Sequence, residues 1–88
     1  MKLSLSELTY NLGHVLQQQG NLAAAGAAYQ RAVELSPSFV QARHALAIVL
    51  GEQGQYQAAI DHYAQVIAQQ PDAVRAYNNL ACILALQG

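Results

Sequence analysis

Three residues of the sequence, His14, His44 and Cys82, are of types that ligate zinc. A structural zinc site usually takes four ligands in short local pairs, and none of these three has a partner close to it in the sequence. The sequence also contains no recognisable Ser/His/Asp set, glycine-rich phosphate loop or pair of catalytic carboxylates. We therefore expect no metal, no cofactor and no catalytic residue, and we interpret these residues as isolated histidines and a buried thiol.

The charge balance restricts the classes of partner. Four Lys and Arg residues face five Asp and Glu residues, for a formal net charge of −1, and no basic stripe is present to neutralise phosphates. No apolar run approaches the roughly 18 residues of a membrane span, and no signal peptide is visible. The single Cys82 cannot form an internal disulfide. We expect a cytoplasmic protein that binds neither nucleic acid nor membrane.

The elements that position these residues follow from a 34-residue repeat. When the sequence is compared with itself at this offset, 17 of the 54 residue pairs are identical, where this composition gives roughly 5 by chance. The matches include two prolines, three glycines, two tyrosines and two rows of leucines: Pro37 and Pro71; Gly20, Gly54 and Gly88; Tyr29 and Tyr63; Leu12, Leu46 and Leu80; Leu16, Leu50 and Leu84. An ordinary helical bundle requires no such common spacing, so we favour a repeat fold.

Each period reads as two helices. Apolar residues recur at three- and four-residue spacing, Gly20 and Gly54 suit the left-handed position after a helix, and the prolines stop the second helix. Ser4 with Glu7, and Ser38 with Gln41, have capping-box spacing, and Asp72 lies in register with the two serines as a good N-cap residue. The sequence predicts an all-α protein with helices at about 5–19, 22–35, 39–53, 56–69 and 73–87.

Small residues recur where two helices must approach closely. Gly13, Ala47 and Ala81 are in register on the first helix of each period, and Ala25 and Ala59 on the second. A side chain of one carbon or none lets helix axes come unusually near each other. Tyr29 and Tyr63 are in register beside these alanines, so we interpret the tyrosines as core residues rather than as stacking platforms.

The combined pattern resembles the tetratricopeptide repeat. The first unit carries Leu12-Gly13, Leu16, Gly20, Ala25, Tyr29, Ala32 and Pro37. The second carries Leu46-Ala47, Leu50, Gly54, Tyr56, Ala59, Tyr63 and Pro71, and the third begins with Leu80-Ala81 and Leu84. The resemblance implies one domain over 1–88, with units at about 4–37 and 38–71, a half unit at 72–88 and a right-handed superhelix. At the position where the family often has a large aromatic residue, this sequence has Thr9, Arg43 and Tyr77, so the first two units depart from the pattern. It departs again at Val66, where a small residue is usual.

The resemblance also implies that the first helices line a concave groove that binds a peptide or helix of a partner protein. By register, the residues expected to face the groove are Glu7, Tyr10, His14 and Gln17, then Gln41, His44, Ile48 and Glu52, then Arg75, Asn78 and Cys82. The alternative is that these residues form only the solvated sides of three helices. His62 lies on a second helix, away from the groove.

One family subtype grips a C-terminal carboxylate with two Lys or Arg residues and at least two Asn residues. The matching positions here are Tyr10, His14, Ala45, Arg75 and Asn79, of which only Arg75 and Asn79 are of the right type. We do not expect a carboxylate clamp.

The leading function is therefore a protein-interaction scaffold that is not an enzyme. The first alternative is a self-assembly element that forms a homo-oligomer through its C-terminal helix, which is apolar almost all round; we expect Ile83 and Leu86 to be exposed there and to mediate the contact. The second alternative is a regulatory segment of a larger enzyme. The chain ends where the second helix of a third unit would begin, as a segment of a longer protein would.

Overall fold

The computed structural model describes residues 3–87, which form five α-helices. They are α1 (Leu5–Gln18), α2 (Leu22–Leu35), α3 (Val40–Glu52), α4 (Tyr56–Gln69) and α5 (Val74–Gln87). All five predicted helices are confirmed, with each boundary within one residue, and residues 3–87 contain no strand. None of the helices in this range has the length and apolar character needed to cross a membrane.

The first helix begins with the predicted capping box. The Glu7 backbone N–H donates to Ser4 Oγ over 3.1 Å, and the Ser4 N–H donates to Glu7 Oε1 over 3.1 Å. The hydrogen bond from the Ser4 backbone is the main reason that the pKa of Glu7 lies below its ordinary value. Both groups stabilise the amino end of α1 because they satisfy amides that have no partner within the helix.

The capping box predicted for Ser38 and Gln41 is wrong. The Phe39 N–H donates to the Ser36 carbonyl over 2.9 Å, closing a turn that delays the start of α3, and Phe39 is the N-cap without a side-chain hydrogen bond. The same turn precedes α5, where the Ala73 N–H donates to the Gln70 carbonyl over 3.0 Å. Helices α3 and α5 therefore each begin one residue later than the 34-residue spacing from the start of α1 predicts.

Two left-handed glycines set the antiparallel helix pairs. Gly20 and Gly54 have φ values of 81° and 80°, as predicted. The residue after each glycine donates back across the helix end, from the Asn21 N–H to the Leu16 carbonyl and from Gln55 to Leu50, both over 2.9 Å. This hydrogen-bond pattern ends a helix and reverses the chain within three residues. Gly88, the third glycine in register, lies outside the described residues.

The helix pairs pack through the predicted small residues and tyrosines. Tyr29 is fully buried, and a Cβ atom added to Gly13 would lie only 2.5 Å from Tyr29 Cε1. In the second pair Ala47, Ala59 and Tyr63 are buried together. Leu50 packs against both clusters and so joins the two pairs into one core.

The third member of this row, Ala81, is exposed, which differs from the predicted close contact. In α1 and α3 the equivalent position is covered by the second helix of the same unit, and no helix within residues 3–87 lies over this side of α5.

The apolar row of α1 is open for the matching reason. Leu5, Leu8, Leu12 and Val15 are 49–61% exposed, because no helix of the described chain packs there as α2 packs on α3.

The expectation that Ile83 is exposed is wrong. Its side chain is only 6% exposed and packs closely on Gly51 of α3. A Cβ atom added to Gly51 would lie 3.1 Å from Ile83 Cδ1. Ile83 is in register with the buried Val49, so it faces the preceding unit rather than solvent. Leu86 is exposed as expected.

Arg43 is buried to a degree that its charge does not predict, with 8% of its surface exposed. Its Nη2 donates to the Pro37 carbonyl over 3.1 Å, and Nη1 lies 3.5 Å from His62 Nδ1. Burial, and after it the charge of Arg43, lower the pKa of His62, which favours the neutral ring that can accept this hydrogen bond. Arg43 therefore takes the place of the large aromatic residue and ties α3 to α4.

We expect Ala59→Leu to lower the free energy of unfolding by about 1–3 kcal/mol, because a fully buried alanine against Tyr63 leaves no room for further methylenes. The matched control is Ala64→Leu on the exposed side of the same helix, which should change stability little. Urea unfolding of both variants makes the comparison. Equal stability of the two proteins would contradict the packing of α4 described above.

Candidate functional site

Side chains of α1, α3 and α5 converge on one pocket of about 190 Å³, here called the central pocket. Among its lining residues are six of the predicted groove residues: Tyr10, His14, Gln41, His44, Ile48 and Arg75. These residues come from three helices that are distant in sequence, and the second helices of the units keep them together. The predicted groove positions on the first helices thus form a common surface.

A second pocket of about 330 Å³, the C-terminal pocket, lies between α3 and α5. It shares Ile48 and Arg75 with the central pocket, so the two adjoin. Its other lining residues are Gly51, Glu52, Tyr63, Asn79, Cys82, Ile83 and Leu86. Cys82 is exposed here, which corrects the expectation of a buried thiol.

The remaining predicted residues lie at the margins. Glu7 and Gln41 line a separate, serine-rich pocket of about 300 Å³. Gln17 lines none of the three pockets and is hydrogen-bonded to Tyr29 of α2 and Glu52 of α3. Asn78 is exposed and lines none of the three pockets, whereas its neighbour Asn79 does. The sequence could have identified Asn79 as a groove residue, since it matches an asparagine position of the carboxylate-binding subtype.

Polar side chains are hydrogen-bonded from helix to helix along this surface. Tyr29 Oη donates to Gln17 Oε1 over 2.8 Å, and Gln17 Nε2 donates to Glu52 Oε1 over 3.3 Å. This chain runs from the core between α1 and α2 to the rim of the C-terminal pocket. Burial raises the pKa of Tyr29 to about 12, so its hydroxyl remains a donor at neutral pH.

His44 and Asn79 form a second link, between α3 and α5. Asn79 Nδ2 lies 3.3 Å from His44 Nε2, and an amide N–H can only donate, so Nε2 accepts and the ring proton sits on Nδ1. Burial, followed by the nearby Arg75 charge, lowers the pKa of His44 and favours this neutral form. Together these links join α1 to α3 and α3 to α5 along the groove.

Aromatic rings pack beneath the α1 side of the central pocket. The Tyr10 ring centroid lies 4.7 Å from that of His14 and 5.0 Å from that of Phe39. His14 in turn meets the buried Tyr29 ring edge-on at 5.7 Å. Such edge-on and tilted contacts fix ring orientation, so Tyr10 presents a pre-positioned aromatic side chain to the groove.

The charges of the groove are sparse. Arg75 lines both adjoining pockets and forms no ion pair with any other residue of 3–87; the ion pair in that range joins Arg31 and Glu34 on α2. Glu52 also lines the C-terminal pocket, and its carboxylate accepts the hydrogen bond from Gln17. No group of three or more His, Cys, Asp or Glu side chains within 3–87 is placed to hold a metal ion. The site is suited to hydrogen bonding, stacking and charge contacts through Arg75 and Glu52.

Comparison with known proteins agrees with this architecture. Residues 4–72 match the model of the tetratricopeptide repeat. The structure superposes on that of YrrB, described as a TPR protein with an unusual peptide-binding site, with a TM-score of 0.91 and 29% sequence identity; the match covers 97% of this chain and 44% of YrrB, so this chain spans less than half of that protein. No curated protein sequence matches. With the family pattern matched over most of its length, the chain belongs to the tetratricopeptide repeat family.

Proposed function

We propose that this chain acts by binding, not by catalysis, and that the groove of α1, α3 and α5 takes an extended segment of a partner protein. The observation that carries the proposal is the continuity of the two pockets, which adjoin at Ile48 and Arg75 and draw on all three first helices. The description of YrrB as having a peptide-binding site adds support by similarity.

The chemistry of the groove suits a peptide. Gln41 and Asn79 carry amide groups that can pair with a peptide backbone, and Tyr10 offers a ring face to a side chain. The C-terminal pocket is lined by apolar groups of Ile48, Ile83 and Leu86, which can contact an aliphatic side chain. Arg75 lies between these regions and can hold a carboxylate or a backbone carbonyl.

The test begins with peptides selected on the immobilised chain from a random-sequence library. We expect Arg75→Ala and Tyr10→Ala each to weaken a selected peptide by about fivefold or more, because truncating a central anchor costs more than about 1 kcal/mol. Fluorescence anisotropy with labelled peptide measures the affinity. Circular dichroism checks the fold of Tyr10→Ala, whose ring also contacts Phe39.

The matched control is Arg31→Ala, which removes an exposed arginine from α2, outside the groove. Gln65→Ala on α4 is a second control, whereas His62 is unsuitable because it packs against Arg43. If the α2 and α4 changes abolish binding while the groove changes leave it intact, the ligand uses another surface and the groove proposal fails.

A second candidate function is self-association. The exposed apolar row of α1 is a better contact surface for it than the residues of α5 that the sequence suggested. Leu5, Leu8, Leu12 and Val15 repeat at alternating three- and four-residue spacing, which is that of a helix-pairing seam. The flanking Asn11 and Gln18 are uncharged, so two copies bring no like charges together. On α5, by contrast, the two residues predicted to mediate the contact do not form such a row, because Ile83 is buried and Leu86 lines the C-terminal pocket.

The interface formed by this row is small. Four aliphatic side chains, each about half exposed, offer on the order of 400 Å² per copy, about half of the roughly 800 Å² that each partner buries in a standard interface. Two copies then bury about 800 Å², below the roughly 1,200–2,000 Å² of stable complexes. We propose a weak, symmetric dimer through α1.

Sedimentation equilibrium tests this dimer. The parent chain should gain mass with concentration, with a dissociation constant on the order of 100 µM or weaker. Leu8→Glu should abolish the gain, and Leu84→Glu should not, although each leucine is 51% exposed at opposite ends of the molecule. A parent chain that stays monomeric at millimolar concentration, or one that only Leu84→Glu dissociates, would overturn the assignment to α1.

A further inference from the structure

A glutamine side chain fills one end of the cleft between α1 and α3. Gln17, in the last turn of α1, lies between a tyrosine and a carboxylate. Its Oε1 accepts from Tyr29 Oη over 2.8 Å, and its Nε2 donates to Glu52 Oε1 over 3.3 Å. The central pocket also draws on α1 and α3, and it is lined by none of these three residues. The carboxamide of Gln17 therefore occupies the carboxyl-terminal end of this cleft.

Between α3 and α5 the chain supplies no such side chain. The position 34 residues after Gln17 is Gly51, and the equivalent of Tyr29 is Tyr63. Both Gly51 and Tyr63 line the C-terminal pocket of about 330 Å³. Ile83 packs on Gly51, and the pocket remains open beside it. Both walls of the pocket belong to the described chain, and its opening comes from the glycine at position 51.

The Tyr63 side chain supplies a hydrogen-bond donor at this end of the pocket. Burial raises the pKa of Tyr63 to about 12; the nearby Asn79 amide lowers it, and the Glu52 carboxylate and the Cys82 thiol raise it further. The hydroxyl therefore keeps its proton at neutral pH. The three neighbours that act on it, Asn79, Glu52 and Cys82, all line the same pocket.

The acceptor at this end of the pocket is Glu52. Its equivalent on α5 is Leu86, which cannot accept a hydrogen bond, but Glu52 itself lines the C-terminal pocket. Its Oε1 already accepts from Gln17. A carboxylate has two oxygens with several acceptor sites, so the same group can also accept from a ligand.

The charges around the pocket favour a carboxamide over a carboxylate beside Tyr63. A carboxylate there would lie close to Glu52, whose like charge repels it. Arg75 lies in the first turn of α5, about 16 Å along the helix from the carboxyl-terminal end of the pocket. There its charge, after burial, lowers the pKa of His44. A carboxamide has an oxygen that can accept from the tyrosine and a nitrogen that can donate to Glu52.

We propose that the C-terminal pocket recognises the side chain of a glutamine in the partner peptide. Its carboxamide accepts from Tyr63 and donates to Glu52, which is the pairing that Gln17 makes with a tyrosine and the same carboxylate in the first unit. Its aliphatic stem packs on Ile48 and Leu86. The inference rests on the proposed function of the groove, and it names the side chain that this part of the groove selects.

Cys82 provides a direct probe of the pocket, because it is the single cysteine of the chain, is exposed and lines the pocket. Three small disulfides of equal length, ending in a carboxamide, a carboxylate or an isopropyl group, are each equilibrated with the chain and 2-mercaptoethanol. The fraction of Cys82 that carries a fragment then reports how well the end group is held. Mass spectrometry should show a preference for the carboxamide of about three- to tenfold, the effect of one hydrogen bond.

Two variants test the residues that hold the carboxamide. Tyr63→Phe removes the donor and should abolish the preference. Gly51→Gln with Ile83→Val gives the second unit the residues that the first unit has at Gln17 and Val49, so a carboxamide of the chain should fill the pocket and abolish the preference as well. Ile83→Val alone is the matched control and should keep it. Each comparison is between fragments on one protein, so a change in thiol reactivity cancels, and circular dichroism checks the fold.

Several results with the fragments would overturn the inference. Equal labelling by all three would show that the pocket does not distinguish the end groups. A preference for the carboxylate would make Arg75 the recognising residue, and a preference for the isopropyl group would make the pocket an apolar one. A preference for the carboxamide that survives in Tyr63→Phe would contradict the role of the hydroxyl.

Peptides selected on the chain separate this inference from the proposed function. In a peptide whose binding depends on Arg75, replacing its glutamine with leucine or glutamate should weaken binding by about three- to tenfold, and Tyr63→Phe should remove the difference. Peptides that depend on Arg75 but need no glutamine would overturn the pocket assignment and leave the proposed function standing. A carboxamide preference at Cys82 without any peptide that depends on Arg75 would overturn the proposed function, and with it the assignment of the glutamine to a partner.

Discussion

The contact between Gly13 and Tyr29 sets the geometry on which the rest of the molecule depends. The ring of Tyr29 occupies the space that any β-carbon at position 13 would need. The close approach of α1 and α2 seen here therefore requires glycine at position 13, whereas in the second unit Ala47 and Tyr63 are buried together with a β-carbon present. With the spacing within each pair determined in this way, the first helices of successive units come side by side and form the groove.

The same tyrosine connects the core to the candidate site. Its hydroxyl donates to Gln17, which reaches Glu52 on the next first helix, and His44 and Asn79 make the corresponding link from α3 to α5. Groups that are already hydrogen-bonded lose less conformational freedom when a ligand binds. The polar side chains of the groove are thus held in place by the same packing that forms the fold. Arg75 forms no ion pair with any other residue of 3–87, so its charge is free to contact a ligand of the proposed kind.

The sequence predicted the helices, the glycine turns and the tyrosine core, because each depends on local backbone chemistry or on residues repeated at a fixed spacing. Its errors arose where the repeat is broken by context. The turn between Ser36 and Phe39 delays the start of α3, so Ser38 does not cap the helix. Ala81 is exposed because no helix within residues 3–87 covers that side of α5, and Ile83 is buried because it packs against the preceding unit. Asn78, predicted to face the groove, lines none of the three pockets, whereas Asn79 lines the C-terminal pocket; the two residues differ by about 100° around the helix, which register alone does not resolve.

The most direct test of this account is the pair Gly13→Ala and Gly26→Ala, measured by urea unfolding. Alanine in a helix interior is ordinarily more stable than glycine by roughly 0.5–1 kcal/mol. Gly26 has room, since an added Cβ would meet Val49 at 3.4 Å, so Gly26→Ala should be neutral or stabilising. At Gly13 the added carbon would press into the Tyr29 ring, and the account predicts a loss of about 1–3 kcal/mol. A Gly13→Ala protein at least as stable as the parent would contradict it.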